Sequence, residues 1–315
     1  MKTWSYILCF LAVFGGGAFL PVFAEIHIFA CEPEWKSLAE EIGGEKVEVY
    51  SATTAFQDPH HIEARPSLIA KMRKADLVFC AGADLEIGWL PLLLRQSGNA
   101  KIQQGQKGYL LATSLVDLIE VAASSDRSQG DVHAAGNPHI HWDPYRVLKV
   151  ANGLSIRLGE IDPTHSLYYQ ERFIQFEKKW HQAMKTWHKE IQALRGKKAI
   201  VYHKNWNYLL HWLGVEVIGD LEPKPGIPPT SHHLATLLQL SHQHRPDFIM
   251  VTNYQDTQGA QWLSERWLSE KIAVPVIQLP YTVGGTEKAT DLISLYSAVL
   301  SALSNHSLRS NPHAQ

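Results

Sequence analysis

The chain has 315 residues, with 29 Lys and Arg against 31 Asp and Glu, a net charge of −2 and 45% hydrophobic residues. Its basic residues are dispersed and not gathered into a stripe, which argues against a nucleic-acid partner. Histidine is abundant, 17 in all, with tight groups at His60-His61, His139 with His141, His232-His233 and His242 with His244, and a further His133.

Lys2 gives a short positive start, followed by an apolar run from Tyr6 to Leu20 that Gly15, Gly16 and Gly17 interrupt. Pro21-Val22-Phe23-Ala24 then places small residues where a signal peptidase reads them. Residues 1–24 are therefore expected to be a signal peptide cleaved after Ala24, the apolar run being short of the ~20 residues a membrane span needs. Cys9 comes too early for a lipid-attachment signal, and bulky Phe29 before Cys31 fits one badly. A soluble, extracytoplasmic mature chain is expected, of a length that suits about two domains of ~150 residues.

Apolar strand-like runs then alternate with helical periodicity, the pattern of an α/β chain with parallel sheets. Glu25–Ala30 reads as a strand, Trp35–Ile42 as a helix stopped by Gly43-Gly44, and Val47–Ser51 as a second strand. A helix over Ser67–Ala75 leads to a strand at Asp76–Cys80. Leu85–Ser97 reads as a helix that Pro91 kinks, Tyr109–Ala112 as a short strand, and Leu115–Val121 runs into a polar loop over Ala122–Pro138. Asp143-Pro144 has the form of a helix start, Asp as N-cap and Pro in the first turn.

Asp162-Pro163 is a second such start. Beyond it Tyr169, Phe173, Phe176, Trp180, Met184, Trp187, Ile191 and Leu194 follow in steps of three or four, which predicts one amphipathic helix ending at Gly196. About 30 residues at ~1.5 Å each would run ~45 Å. The α/β pattern resumes with strands at Lys198–Tyr202, Val215–Ile218, Asp247–Thr252 and Val274–Leu279. Helices are expected at Trp206–Leu213, at Thr230 or Ser231 to His242, at Ala260–Glu270 and at Asp291–Leu303. The expectation is an α/β fold of two lobes with small parallel sheets. The lobes would span 25–159 and 196–303, joined by a long rigid helix over 160–195, with a flexible tail at 304–315.

Cys31 and Cys80 end two of the strand-like runs. They fit either a disulfide between neighbouring strand ends or a pair of buried free thiols. His60 lies in the loop after the second strand, His139 before the Asp143-Pro144 start, and His203 at the end of the strand over Lys198–Tyr202. Ligand sites in parallel α/β sheets form beyond such strand ends, and three neutral imidazoles suit zinc better than manganese. A loop histidine is usually solvated or a helix cap, so spacing alone gives no more than a candidate metal site in an α/β protein.

Three segments carry a resemblance: Asp58-Pro59-His60-His61-Ile62-Glu63-Ala64-Arg65-Pro66-Ser67, Asn137-Pro138-His139-Ile140-His141-Trp142-Asp143-Pro144 and Val201-Tyr202-His203-Lys204-Asn205-Trp206-Asn207-Tyr208. In order and spacing they resemble the metal-ligand motifs of the zinc and manganese solute-binding proteins of ABC importers, the ZnuA/TroA-like family. The resemblance implies a periplasmic protein that binds Zn²⁺ between its lobes through His60, His139 and His203. It also implies delivery to a membrane permease, by a monomer that is not an enzyme. Histidine at the third position resembles the zinc branch, so Mn²⁺ is the lesser expectation.

The family often places a carboxylate ligand near the end of the last strand. Here that stretch is Gln278-Leu279-Pro280-Tyr281-Thr282-Val283-Gly284-Gly285, without an acid, and the fourth ligand is left open. Asp58, Glu63 and Asp143 are candidates to orient the imidazoles, Asp143 more readily as a helix cap. His133 and His141 read as solvated or auxiliary histidines, and His232, His233, His242 and His244 as surface residues. Two alternatives stand beside this reading. A three-histidine zinc hydrolase finds no HExxH or GxSxG motif to support it, and a metal-binding surface adhesin could use the same fold.

Overall fold

The structure is a computed structural model and describes residues 25–121, 130, 133–240 and 244–309. The expected signal peptide and most of the polar loop before Asn137 lie outside these residues. So does His242. Among the described residues, no helix is long and apolar enough to cross a membrane.

The N-terminal lobe opens with β1 (Ile26–Ala30), α1 (Pro33–Gly43) and β2 (Val47–Ser51), followed by α2 (Pro66–Lys74), β3 (Leu77–Cys80), α3 (Leu90–Ser97) and β4 (Tyr109–Leu111). All its strands are parallel, in the order β2-β1-β3-β4. The C-terminal lobe repeats the plan. β5 (Lys198–Val201), α7 (Asn207–Leu213), β6 (Glu216–Asp220), α8 (Ser231–Leu240), β7 (Phe248–Thr252), α9 (Gln258–Ser269) and β8 (Val276–Leu279) follow in turn. Its parallel sheet has the order β6-β5-β7-β8. In each lobe the strand order reverses between the first and third strands, which leaves a crevice at their carboxyl ends. The central strands β3 and β7 are wholly buried, and LVFC and FIMVT are accordingly unbroken apolar runs.

Between the lobes run α4 (Pro144–Ile161), α5 (Ser166–Thr186) and α6 (His188–Leu194). Asp143 caps α4, its Oδ1 accepting from the backbone N–H groups of Tyr145 and Arg146 at 2.9 Å each. The linking helix is shorter than its periodicity predicts. α5 has 21 residues, about 32 Å at ~1.5 Å each, and the helix is interrupted at Trp187 before α6. Thr186 Oγ1 donates back to Ala183 O at 2.7 Å, a competing bond that loosens helices. Trp187 stacks on Tyr296 with ring centroids 5.1 Å apart, and its indole N–H donates to Ser297 Oγ.

Two further expectations need correction. The helix predicted over Leu85–Ser97 forms only from Leu90: the chain turns through left-handed φ of 85°, 49° and 67° at Gly82, Ala83 and Asp84, and Trp89, at φ −139° and ψ −36°, still lies outside the helical region. Pro91 therefore sits in the first turn of α3 and kinks nothing. The last helix, α10 (Leu292–Arg309), runs past Leu303 through the first part of the expected tail. Cys31 and Cys80 are joined in a disulfide, their Cα atoms 4.8 Å apart across β1 and β3.

One continuous core takes residues from both lobes and from the helices between them: Trp35 and Trp142, Trp180 of α5, and Trp206 and Tyr296 from the C-terminal side. Trp180 Nε1 donates to Pro144 O at 3.0 Å, tying α5 to the start of α4. Smaller clusters fill the outer side of each sheet. Splaying the lobes widely would expose the shared core at roughly 25 cal/mol per Å², so the architecture favours small adjustments of loops over a wide hinge.

Candidate metal centre

Each histidine of the cleft is set by its own loop. His60 follows β2 in the turn Asp58-Pro59-His60. Asp58 Oδ1 accepts from the His60 backbone N–H at 3.0 Å and lies 2.7 Å from its Nδ1. The buried Trp89 indole N–H holds Pro59 O at 2.9 Å, which fixes this turn from the other side. His139 follows Asn137-Pro138; Asn137 Oδ1 accepts from the His139 N–H at 3.0 Å, while Asn137 Nδ2 reaches across to Lys204 O of the C-terminal lobe at 2.9 Å. The Nδ1 of His139 lies 2.8 Å from the Tyr281 hydroxyl. His203 stands just beyond β5, its Nδ1 2.6 Å from Glu222 Oε2, and the same oxygen accepts from Gly226 N–H at 2.9 Å.

These loops bring His60, His139 and His203 together, and a fourth imidazole joins them. One ring nitrogen from each of His60, His133, His139 and His203 lies within 4.8 Å of the others. His60 Nε2 and His133 Nε2 are 3.2 Å apart. A tetrahedral zinc with Zn–N of ~2.0–2.1 Å sets nitrogens about 3.3–3.4 Å apart, so this pair already has the spacing of one edge and the others need only a small contraction. In His60, His139 and His203 the Nδ1 faces a partner, Asp58, Tyr281 or Glu222, which leaves Nε2 to converge on the centre. The Nε2 atoms of His139 and His203 are buried with no hydrogen-bond partner. Buried polar atoms are normally satisfied; a bound cation would satisfy both at once, and outer hydrogen bonds of this kind fix ring orientation and raise ligand basicity.

The electrostatics agree with that use. Burial first, then the charges of His203 and His60, hold His139 well below the ordinary histidine range. Burial, His60 and His203 push His133 down to about 3. Both are therefore neutral, with a lone pair free, at pH 7. For His203 burial also opposes charge and is the largest single influence, but the hydrogen bond and charge of Glu222 outweigh it and raise the imidazole. Asp58 is likewise disfavoured by burial, yet its bonds to His60 bring it down to about 2.

Of the other candidates, Asp58 orients His60 as expected, Asp143 is a helix cap, and Glu63 is exposed. His141 is not solvated. It is buried, with Nδ1 3.4 Å from Glu34 Oε1 and Nε2 3.3 Å from Tyr281 O. His61, His232 and His244 are exposed, while His233 bonds Asp220 O at 2.8 Å. Sequence reasoning passed over Glu222 and Tyr281. Glu222 had one available signal, an acid opening a Pro-Gly loop beyond the strand next to the one that carries His203; Tyr281 stands where the missing carboxylate was sought.

The family described as "ZnuA: Zinc-uptake complex component A periplasmic" matches residues 28–306. Among curated relatives, the metal ABC transporter substrate-binding lipoprotein ScbA of Streptococcus cristatus is 25% identical over 178 residues, 56% of this chain and 55% of that protein. The chain thus spans about half the length of that relative. The manganese ABC transporter substrate-binding lipoprotein PsaA of Streptococcus anginosus is 21% identical over 262 residues, 82% of this chain and 81% of its own length. Among solved structures, one described as the crystal structure of ZnuA superposes with a TM-score of 0.71 at 21% identity, over 90% of this chain and 99% of that one. That likeness is one of fold.

Proposed function

This chain belongs to the ZnuA family of periplasmic zinc-uptake components, and on that premise we propose that it captures Zn²⁺ between its lobes and hands it to the membrane permease of an ABC importer. His60, His139 and His203 are the ligands, and His133 is the fourth. The carrying observation is the convergence of four imidazoles, three of them with the outward nitrogen already engaged. The donor set supports zinc over manganese: all four donors are imidazole nitrogens, whereas Mn²⁺ favours carboxylate oxygens. Asp58 and Glu222 lie behind the rings and carry the negative charge that balances the cation. As the site fills, His203 gives up any proton it holds, while His133 and His139 have none to lose at neutral pH.

The proposed protein is a periplasmic monomer and not an enzyme. A zinc hydrolase needs an open coordination position and a base beside the bound water, and the fourth imidazole fills that position. Growth under zinc chelation tests the assignment. A strain lacking this gene should recover in chelator-treated medium when given the wild-type chain, and not when given the His60→Ala, His139→Ala, His203→Ala variant. Recovery with manganese and not with zinc would overturn the zinc assignment; equal growth with the variant would overturn the capture role.

A further inference from the structure

At the N-terminal lobe's own strand-order reversal lies a second group of donors, which shares no residue with the histidine cluster. Cys31 and Cys80 end β1 and β3, and their sulfurs and a Glu86 carboxylate oxygen lie within 4.8 Å of one another. Glu32, the next residue after Cys31, is 1% exposed and Glu86 2%. Glu86 is held by the N–H groups of Ala81, at 2.7 Å, and Gly82, at 3.0 Å. The Glu32 carboxyl lies beside that of Glu86, within hydrogen-bond reach of it. Burial, reinforced for Glu32 by the charges of Glu86 and Glu34, raises both acids, Glu86 to about 7. Two carboxylates sealed from water with no cation beside them are costly unless they keep protons.

We propose that reduction of the Cys31–Cys80 disulfide turns this crevice into a second metal site, in which Cys31, Cys80 and Glu86 hold a thiophilic divalent cation such as Zn²⁺ or Cd²⁺, with Glu32 as the neighbouring acid. A dithiol supplies the two electrons and two protons: the S–S bond breaks, two thiols form, and the dithiol closes to its own disulfide. As the cation binds, each thiol releases its proton to solvent and a metal–sulfur bond forms. Zn–S bonds of ~2.3 Å and Zn–O bonds of ~2.0–2.2 Å put donors about 3.3–3.8 Å apart in a tetrahedron. The Glu86 oxygen, within 4.8 Å of both sulfurs, closes in by ~1.2 Å at most, and the two sulfurs move apart once the S–S bond is broken. The cation's charge also removes the penalty on the buried acids, and the Ala81 and Gly82 N–H groups orient Glu86 toward it.

The site is independent of the histidine cluster, and so is its test. The probe is Co²⁺, because thiolate–cobalt charge transfer absorbs strongly in the near ultraviolet and imidazole-only cobalt does not. The mature full chain carrying His60→Ala, His139→Ala and His203→Ala is reduced with a dithiol, desalted without oxygen and titrated. One equivalent of cobalt with the charge-transfer band and native near-ultraviolet circular dichroism is expected after reduction, and none before it. Glu86→Gln, in the same background, should weaken that equivalent by more than the ~10-fold that removing even an outer partner costs. If reduction alone unfolds the chain, cobalt is added during refolding, and recovery of the native signal together with the band is expected. The proposal is overturned if the reduced, folded chain takes up no cobalt, if refolding with cobalt gives no native signal, or if Glu86→Gln leaves the titration unchanged.

Discussion

Replacing Glu222 by Gln isolates what one charge behind a ligand contributes to metal capture. Glu222 Oε2 lies 2.6 Å from His203 Nδ1, and the two side chains are only 10% and 7% exposed, so solvent screens the pair little. Gln has the same shape and can still accept from His203 Nδ1 and from Gly226 N–H; only the charge is removed. A hydrogen bond to a charged group contributes about 1.5–3 kcal/mol against about 1 for a neutral pair. The difference of ~0.5–2 kcal/mol corresponds to a roughly 2- to 30-fold loss of zinc affinity where His203 is already neutral. The same carboxylate raises the His203 pKa above its ordinary ~6.5. Below that raised pKa, zinc must displace a proton that the variant holds less firmly. The deficit should therefore be full near pH ~8.5 and shrink toward pH ~6. Competition against a chromophoric chelator at both pH values reads it directly. Equal affinities at the alkaline pH, or a deficit that grows toward acid, would refute the reasoning.

His133→Ala should weaken zinc binding by about tenfold or more, while His232→Ala changes nothing; equal titrations for His133→Ala and wild type would remove it from the site. Tyr281→Phe deletes the hydroxyl at His139 Nδ1 and is expected to cost about 10-fold in zinc affinity, read in the same competition titration. Glu32→Gln bears on stability. Because burial raises the folded-state pKa of Glu32, its stabilising contribution is full below the unfolded value of ~4.3 and is lost as pH rises through the folded one. The Gln variant should therefore melt above wild type at about pH 8, by ~2–4 °C for each kcal/mol relieved in a chain of this order of size. The two should converge near pH ~4; a gap that widens toward acid in thermal unfolding would contradict this sign.

Both sheets could be read from sequence because the central strands β3 and β7 are apolar throughout and the flanking strands remain rich in apolar and β-branched residues between turn signals. Val47–Ser51 is recovered residue for residue, and the other strands to within two residues. What escaped depends on tertiary contacts. Leu85–Leu90 has helical periodicity, but local periodicity carries no sign of the left-handed backbone at Ala83 and Asp84. The interruption at Trp187 reflects its packing against α10, over a hundred residues later in the chain. At the site, the Pro-His motifs made His60 and His139 legible, and the strand end made His203 so. His133 looked like any loop histidine because its role depends on a contact with His60, 73 residues earlier in the chain. Glu222 and Tyr281 act through atoms that meet a ligand only in the folded chain. The pairing of Cys31 with Cys80 was one of two open readings, decided by β1 and β3 lying side by side.

Elemental analysis with zinc titration of the metal-stripped mature chain, beside its His60→Ala, His139→Ala, His203→Ala variant, tests the capture site most directly. The four-imidazole centre predicts one tightly bound zinc per wild-type chain under oxidising conditions, and none in the variant. A wild type without stoichiometric zinc, or a variant that keeps it, would mean that these histidines do not form the capture site.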